Sequence, residues 1–227
     1  MLHYKRLERA CDRTRASAAL AVFALILLAS CSSGRRSAEF TLDGVTPPPR
    51  VCSLNPQNFA QAERVPDFHL GNGCGVANGY KVYTINDVGL NPSALITCDL
   101  ADAVSTWLST VVQPTAQATY GQRVVAIKVL ASYSCRPRDN KSGAKLSEHG
   151  FGNAIDLGAF ILEDGREVNV LHDYYGNGPD QQFLHTIRAH ACGLFSTVLG
   201  PGSDADHANH FHLDKMFLRS GRGTYCH

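Results

Sequence analysis

The 227-residue chain has no Cys-x-x-Cys pair, no internal repeat and no apolar run that comfortably spans a bilayer. The first absence argues against a thiolate zinc cage. The third bears on the N-terminus, where Lys5, Arg6, Arg9, Arg13 and Arg15 precede a short apolar run from Ala18 to Ala29. A basic opening before a short apolar run reads as a secretory signal over residues 1–30. Removing it takes away five of the 21 Lys+Arg and two of the 20 Asp+Glu, leaving 16 against 18, about −2. No basic stripe remains, which excludes a nucleic-acid partner.

The apolar run ends in Leu28-Ala29-Ser30-Cys31, which resembles the lipobox of bacterial lipoproteins. That resemblance implies cleavage before Cys31 and lipidation of its thiol, hence a membrane anchor in the cell envelope. Ser32, where an Asp is absent, implies sorting to the outer membrane with the domain facing the periplasm. Residues 31–50 read as a lipidated tether: "SSGRRSAEFTLDGVTPPPR" has too little apolar surface to fold, and three prolines stiffen it. The domain proper is expected over residues 51–227, a size for a single core.

Export fits the remaining cysteines. Cys52, Cys74, Cys98, Cys135, Cys192 and Cys226 are even in number and scattered, which suits three disulfides in an oxidising compartment. Six cysteines allow about fifteen connectivities, so spacing assigns no pairs.

Residues 51–88 read as irregular, with glycines punctuating short strands such as 80–83. Asn91-Pro92-Ser93 is expected to open a helix, because Ile96, Leu100, Ala103, Trp107 and Val111 recur at helical spacing. A strand is expected from Arg123 to Cys135, and a helix from Asp180 to Cys192 with Gly193 just past its end.

Two stretches carry chemistry. In "LSEHGFGNAIDLGAF", residues 146–160, glycines can bend the chain so that His149 approaches Asp156, and both residue types bind metals. Alternation places Ile155, Leu157, Ala159 and Ile161 on a core face, and Ala154, Asp156, Gly158 and Phe160 on the other. Glu163-Asp164-Gly165-Arg166 is a turn, with residues 167–170 returning as a second strand. In "DADHANHFHLD", residues 204–214, a strand from Asn209 aims His210, His212 and Asp214 to one side, with Phe211 and Leu213 inward. An H-x-H strand alone fits an exposed polar edge as well as a metal site.

Ser147-x-His149-x-x-Gly152-x-Ala154-x-Asp156, followed by His210-x-His212, resembles the signature of the D-alanyl-D-alanine dipeptidase and carboxypeptidase superfamily, which includes the penicillin-insensitive murein endopeptidases. Over residues 51–227, "SYSCRPR", "SEHGFGNAIDLG" and "ACGLFSTVLGPGSDADHANHFHLD" resemble most closely the bacterial extensin-like C-terminal domain family. The superfamily likeness implies an α+β fold with a short antiparallel sheet flanked by helices, here stabilised by disulfides. It also implies Zn2+ held by His149, Asp156 and His212. The glutamate that the dipeptidases carry three residues before the last ligand is here Asn209, which shifts the general base to His210, with His207 next. Arg136 is implied as a substrate-binding group, with Arg138 close behind. Ser147 is expected to hold the turn. His172, His185 and His190 are expected to be structural or solvent-facing.

The expected function is zinc-dependent hydrolysis of amide bonds in the peptide part of peptidoglycan, as a murein endopeptidase or carboxypeptidase. The alternative is a non-catalytic envelope-binding or scaffolding domain that keeps a structural metal.

Overall fold

The computed structural model describes residues 52–216 and 224–227; the signal segment, Cys31 and the tether lie outside them. Four short strands open the domain: β1 (Ala62–Arg64), β2 (Phe68–His69), β3 (Gly75–Val76) and β4 (Gly79–Ile85). β5 (Val88–Thr97) runs into helix α1 (Cys98–Trp107), a π turn (Leu108–Val112) and α2 (Gln113–Tyr120). Then come β6 (Val124–Ala131), β7 (Ala154–Leu162), β8 (Glu167–Asn169), α3 (Val170–Asp173) and α4 (Pro179–Ala189). β9 (Thr197–Leu199), β10 (Phe211–Asp214) and β11 (Tyr225–Cys226) close the domain.

The class is α+β, as expected, but the sheet is neither short nor purely antiparallel. Nine strands pair in the order β1-β4-β5-β6-β7-β10-β9-β11, with β8 also on β7. The β5–β6 and β9–β11 pairs are parallel. The parallel β5–β6 pair follows from the helical crossover between them, which returns the chain in the same direction.

The helix expected from residues 91–93 begins instead at Cys98, and Ile96 belongs to β5. Ile96 fits either period, because it is buried in the β5–β4 ladder opposite Tyr80. Pro92, which has no N–H to donate, falls where that ladder is interrupted, between Gly89 and Ala94. The strand expected to reach Cys135 ends at Ala131, because the next carbonyl, that of Ser132, turns to the His149 ring. Helix α4 stops at Ala189, three residues before the expected end, and Val170 opens α3 rather than closing the hairpin strand.

One face of the sheet is covered by helices, and Trp107 sits at the centre of that layer. Its ring meets Phe160 and Phe195 edge-on, each at 6.1 Å, and its indole N–H donates to the Ile187 carbonyl of α4. Phe211 and Leu213 of β10, with Ile155 and Leu157 of β7, point into this core. The alternation expected along β7 holds only to Leu157. Between Leu157 and Ala159 the strand advances two residues while β6 advances one, from Val129 to Lys128. Gly158 is the extra residue of this bulge, and a Cβ there would meet the Leu130 side chain at 2.9 Å. The faces therefore exchange. Phe160 and Leu162 enter the core, and Ile161 is only half-buried.

Three disulfides, Cys52–Cys98, Cys74–Cys135 and Cys192–Cys226, staple the irregular segments to this frame. The bulge assigns different weights to neighbouring positions. Phe160→Ala should cost about 3–5 kcal/mol in chemical denaturation, as expected of a buried aromatic. Ile161→Ala should cost well under half of that; equal losses would contradict the exchange of faces.

Candidate metal centre

The site lies on the sheet face opposite the helices, where β7 and β10 pair antiparallel. His212 is directly opposite Asp156, and Asp214 opposite Ala154. Directly paired residues put their side chains on the same face about 5 Å apart at Cβ, so this register alone brings imidazole and carboxylate together. His212 Nδ1 lies 2.9 Å from Asp156 Oδ1.

His149 arrives from the turn before β7. Ser147 Oγ accepts from the His149 backbone N–H at 3.4 Å, capping a single 3-10 turn, Glu148–Phe151. Gly152 ends that turn at φ +67, a left-handed conformation that glycine adopts without strain, and the chain enters β7. Ser147 thus holds the turn, as expected. His149 Nε2 then stands 3.1 Å from Asp156 Oδ2 and 3.2 Å from His212 Nδ1. All three side chains are buried, with His149 1 % and Asp156 4 % exposed.

The outer nitrogens decide what this cluster needs. His149 Nδ1 lies 2.7 Å from the Ser132 carbonyl oxygen, which can only accept, so Nδ1 carries the proton and Nε2 faces inward as a lone pair. His212 Nε2 lies 3.5 Å from Asp214 Oδ2, an acceptor placed to take a proton from Nε2 when Nδ1 faces a cation, while Nδ1 is 2.9 Å from Asp156 Oδ1. Two imidazole nitrogens and a carboxylate thus converge, and with both nitrogens unprotonated they repel one another. Only a cation at the centre, a proton or a metal ion, relieves that repulsion.

The charges respond accordingly. Burial works to raise the Asp156 carboxyl, but the imidazoles of His149, His210 and His212 hold it well below the usual carboxylate range. Burial works to lower His212, but Asp156 and Asp214 carry it up to about 9.

The residues fit a tetrahedral ion. Ligands held at about 2.0–2.2 Å from zinc lie about 3.3 Å from one another, and the observed separations are 2.9–3.2 Å. The carbonyl behind His149 and the carboxylate behind His212 are the outer contacts that orient metal-binding imidazoles.

A cleft of about 470 Å3 opens beside the ligands. Arg136, Glu148, His207, Asp214 and Tyr225 line it, with His149 and His212 in its floor. Arg136 is half-buried, and among the described residues its guanidinium makes no hydrogen bond or ion pair. Arg138 is more exposed and lies 3.8 Å from Glu148 Oε1. His210 Nε2 is 3.4 Å from Asp156 Oδ1, and its Nδ1 is 2.8 Å from Asn209 Oδ1. His207 stands on the cleft wall, its ring 5.6 Å from that of His212. His172 is exposed, and His185 and His190 hydrogen-bond backbone carbonyls away from the site.

Three supports had no separate signal in the sequence. Asp214 was placed on the right face but given no task. Ser132 serves the site through its carbonyl, and Asp204, at 2.6 Å from His207 Nδ1, lies in a loop that no motif marks.

The fold and site define an α+β domain with a two-histidine, one-aspartate centre suited to a metal ion. The chain belongs to the family described as extensin-like protein C-terminus, which matches residues 51–227. No curated protein and no solved structure matches the chain.

The segment from Ser132 to Arg136 is the backrest of the His149 turn. The Ser134 N–H donates to the His149 carbonyl, the Arg136 carbonyl accepts from the Ser147 N–H, and the Cys74–Cys135 disulfide anchors the segment between them. Replacing this pair with serines should therefore lower the affinity for an added divalent metal ion in a chelator competition, while loss of Cys52–Cys98 should leave it unchanged. Asp214→Asn should weaken it by about 10–100-fold with the fold intact by circular dichroism.

Proposed function

We propose that this domain is a zinc peptidase that hydrolyses an amide bond in the peptide part of peptidoglycan. The observation that carries the reading is the convergence of His149 Nε2, His212 Nδ1 and the Asp156 carboxylate beside a cleft that His149 and His212 line. His149, Asp156 and His212 would hold the ion, leaving a fourth position, as a catalytic site requires. Bound zinc supplies a Lewis acid and brings the pKa of its water towards about 7.

The chain's own groups divide the remaining tasks. Arg136, half-buried and free of partners among the described residues, offers positive charge where an oxyanion develops. His207 and His210 flank the ligands and are the two candidates for the group that accepts the proton. At about 470 Å3 the cleft has room for a few residues of a peptide. The substrate class rests on place as well as chemistry: a lipid-anchored domain in an oxidising envelope meets peptidoglycan, whose stem peptides contain D-residues. The three disulfides and the signal-like N-terminus support that location.

The burial of the ligands favours a second reading, a structural metal in a scaffolding or binding domain. Incubation of the zinc-loaded mature protein with sacculi of several cross-link types separates the two. A peptidase releases muropeptides with new amine and carboxyl ends, and His149→Ala abolishes the release. Full zinc occupancy with no release from any sacculus type would leave the structural reading.

A further inference from the structure

His207 and His210 flank the ligands at similar range, yet their ring nitrogens are engaged differently. His210 Nε2 lies 3.4 Å from Asp156 Oδ1, so this nitrogen is turned towards the ligand carboxylate. Its Nδ1 faces Asn209, 2.8 Å away, so neither nitrogen offers a lone pair to the cleft. His207 is on the cleft wall, and one oxygen of Asp204 accepts both its ring Nδ1–H, at 2.6 Å, and its backbone N–H, at 3.0 Å. With the proton fixed on Nδ1, the Nε2 lone pair is the nitrogen left over.

The loop that carries Asp204 is braced from behind. Arg188 of α4 donates to the Pro201 carbonyl at 2.8 Å and to Ser203 Oγ at 3.1 Å, and Ser203 Oγ accepts the Gly200 N–H. The Asp204 carboxyl itself is raised by burial but lowered further by the His207 ring and two backbone N–H groups, so it stays ionised.

We infer that His207 is the proton-transferring group of this site, that Asp204 is the positioning residue that fixes its tautomer, and that His210 instead orients Asp156. The inference rests on the peptidase reading. In the step, a water O–H bond breaks and its proton moves to His207 Nε2 as the water oxygen bonds to the substrate carbonyl carbon. The Asp204 carboxylate balances the imidazolium. As the C–N bond breaks, the same proton passes to the departing amide nitrogen, so one amide and one water become one acid and one amine. An aspartate held against the far nitrogen of a catalytic imidazole serves the same purpose in hydrolases with a Ser-His-Asp triad.

The test uses the zinc-loaded mature protein with Asp204→Ala, Asp204→Asn, His207→Ala and His210→Ala. It reads muropeptide release, zinc affinity and the 15N signature of the His207 ring by NMR at one pH. His207→Ala should lower kcat by about 10²–10⁴-fold with zinc affinity unchanged. Asp204→Ala should lower kcat while KM and zinc affinity stay level, and the ring signature should change from Nδ1–H to a mixture. Asp204→Asn, which keeps an acceptor at Nδ1, should restore the signature and part of kcat. His210→Ala should weaken zinc binding first. An unchanged ring signature in Asp204→Ala overturns the positioning role. Lost turnover in zinc-saturated His210→Ala, with turnover intact in His207→Ala, overturns the assignment of the base. A wild-type protein that hydrolyses nothing ends the catalytic role together with the peptidase reading, while the NMR readout still decides whether Asp204 fixes His207.

Discussion

The pairing of His212 opposite Asp156 is the contact on which the rest of the site depends. A shift of one residue between β10 and β7 would turn His212 and Asp214 into the helix-covered core and bring Phe211 and Leu213 out to solvent. The register is held by the opposite face, where Phe211, Leu213, Ile155 and Leu157 are fully buried against the layer around Trp107. Hydrophobic packing on one side of the sheet thus sets the distance between charged groups on the other. The bulge at Gly158 lies just beyond this pairing, so β7 serves the site with its first half and the core with its second.

Around that register the chain has placed acceptors where an ordinary interior would place donors. The Ser132 carbonyl and the Asp214 carboxylate turn two imidazoles so that their lone pairs meet Asp156. Such an arrangement costs stability without a cation; the imidazoles hold the Asp156 carboxyl down, while Asp156 and Asp214 hold His212 up. Disulfides hold the parts of the cleft that the sheet does not. Cys135 fixes the segment behind His149, and Cys226 fixes the strand that brings Tyr225 to the cleft. Disulfides of this kind persist in oxidising compartments.

Much of this was legible in the residues. Ser147, His149, Gly152, Asp156 and the His210-x-His212 pair stand in motifs, and strand alternation already separated His212 and Asp214 from Phe211 and Leu213. The class and the turn that capping by Ser147 creates followed from local chemistry. What could not be read was long-range. Ile96 fits helical and strand periods equally, so only its pairing with β4 decides between them. A bulge that exchanges Phe160 for Ile161 depends on Leu130 of the neighbouring strand. Asp204 and Ser132 gain their roles from histidines that the fold brings to them, and the length and mixed character of the sheet depend on crossovers that local patterns do not contain. Membership of the extensin-like family covers residues 51–227, while the anchor and the tether rest on sequence alone.

The central claim is that three buried side chains were built around one metal ion. Native mass spectrometry of the purified protein after zinc loading tests it most directly, with His149→Ala alongside and the disulfides of both confirmed. One zinc per chain in the wild type and none in the variant is the predicted result. A wild-type chain that stays metal-free, or a variant that retains the ion, would contradict it.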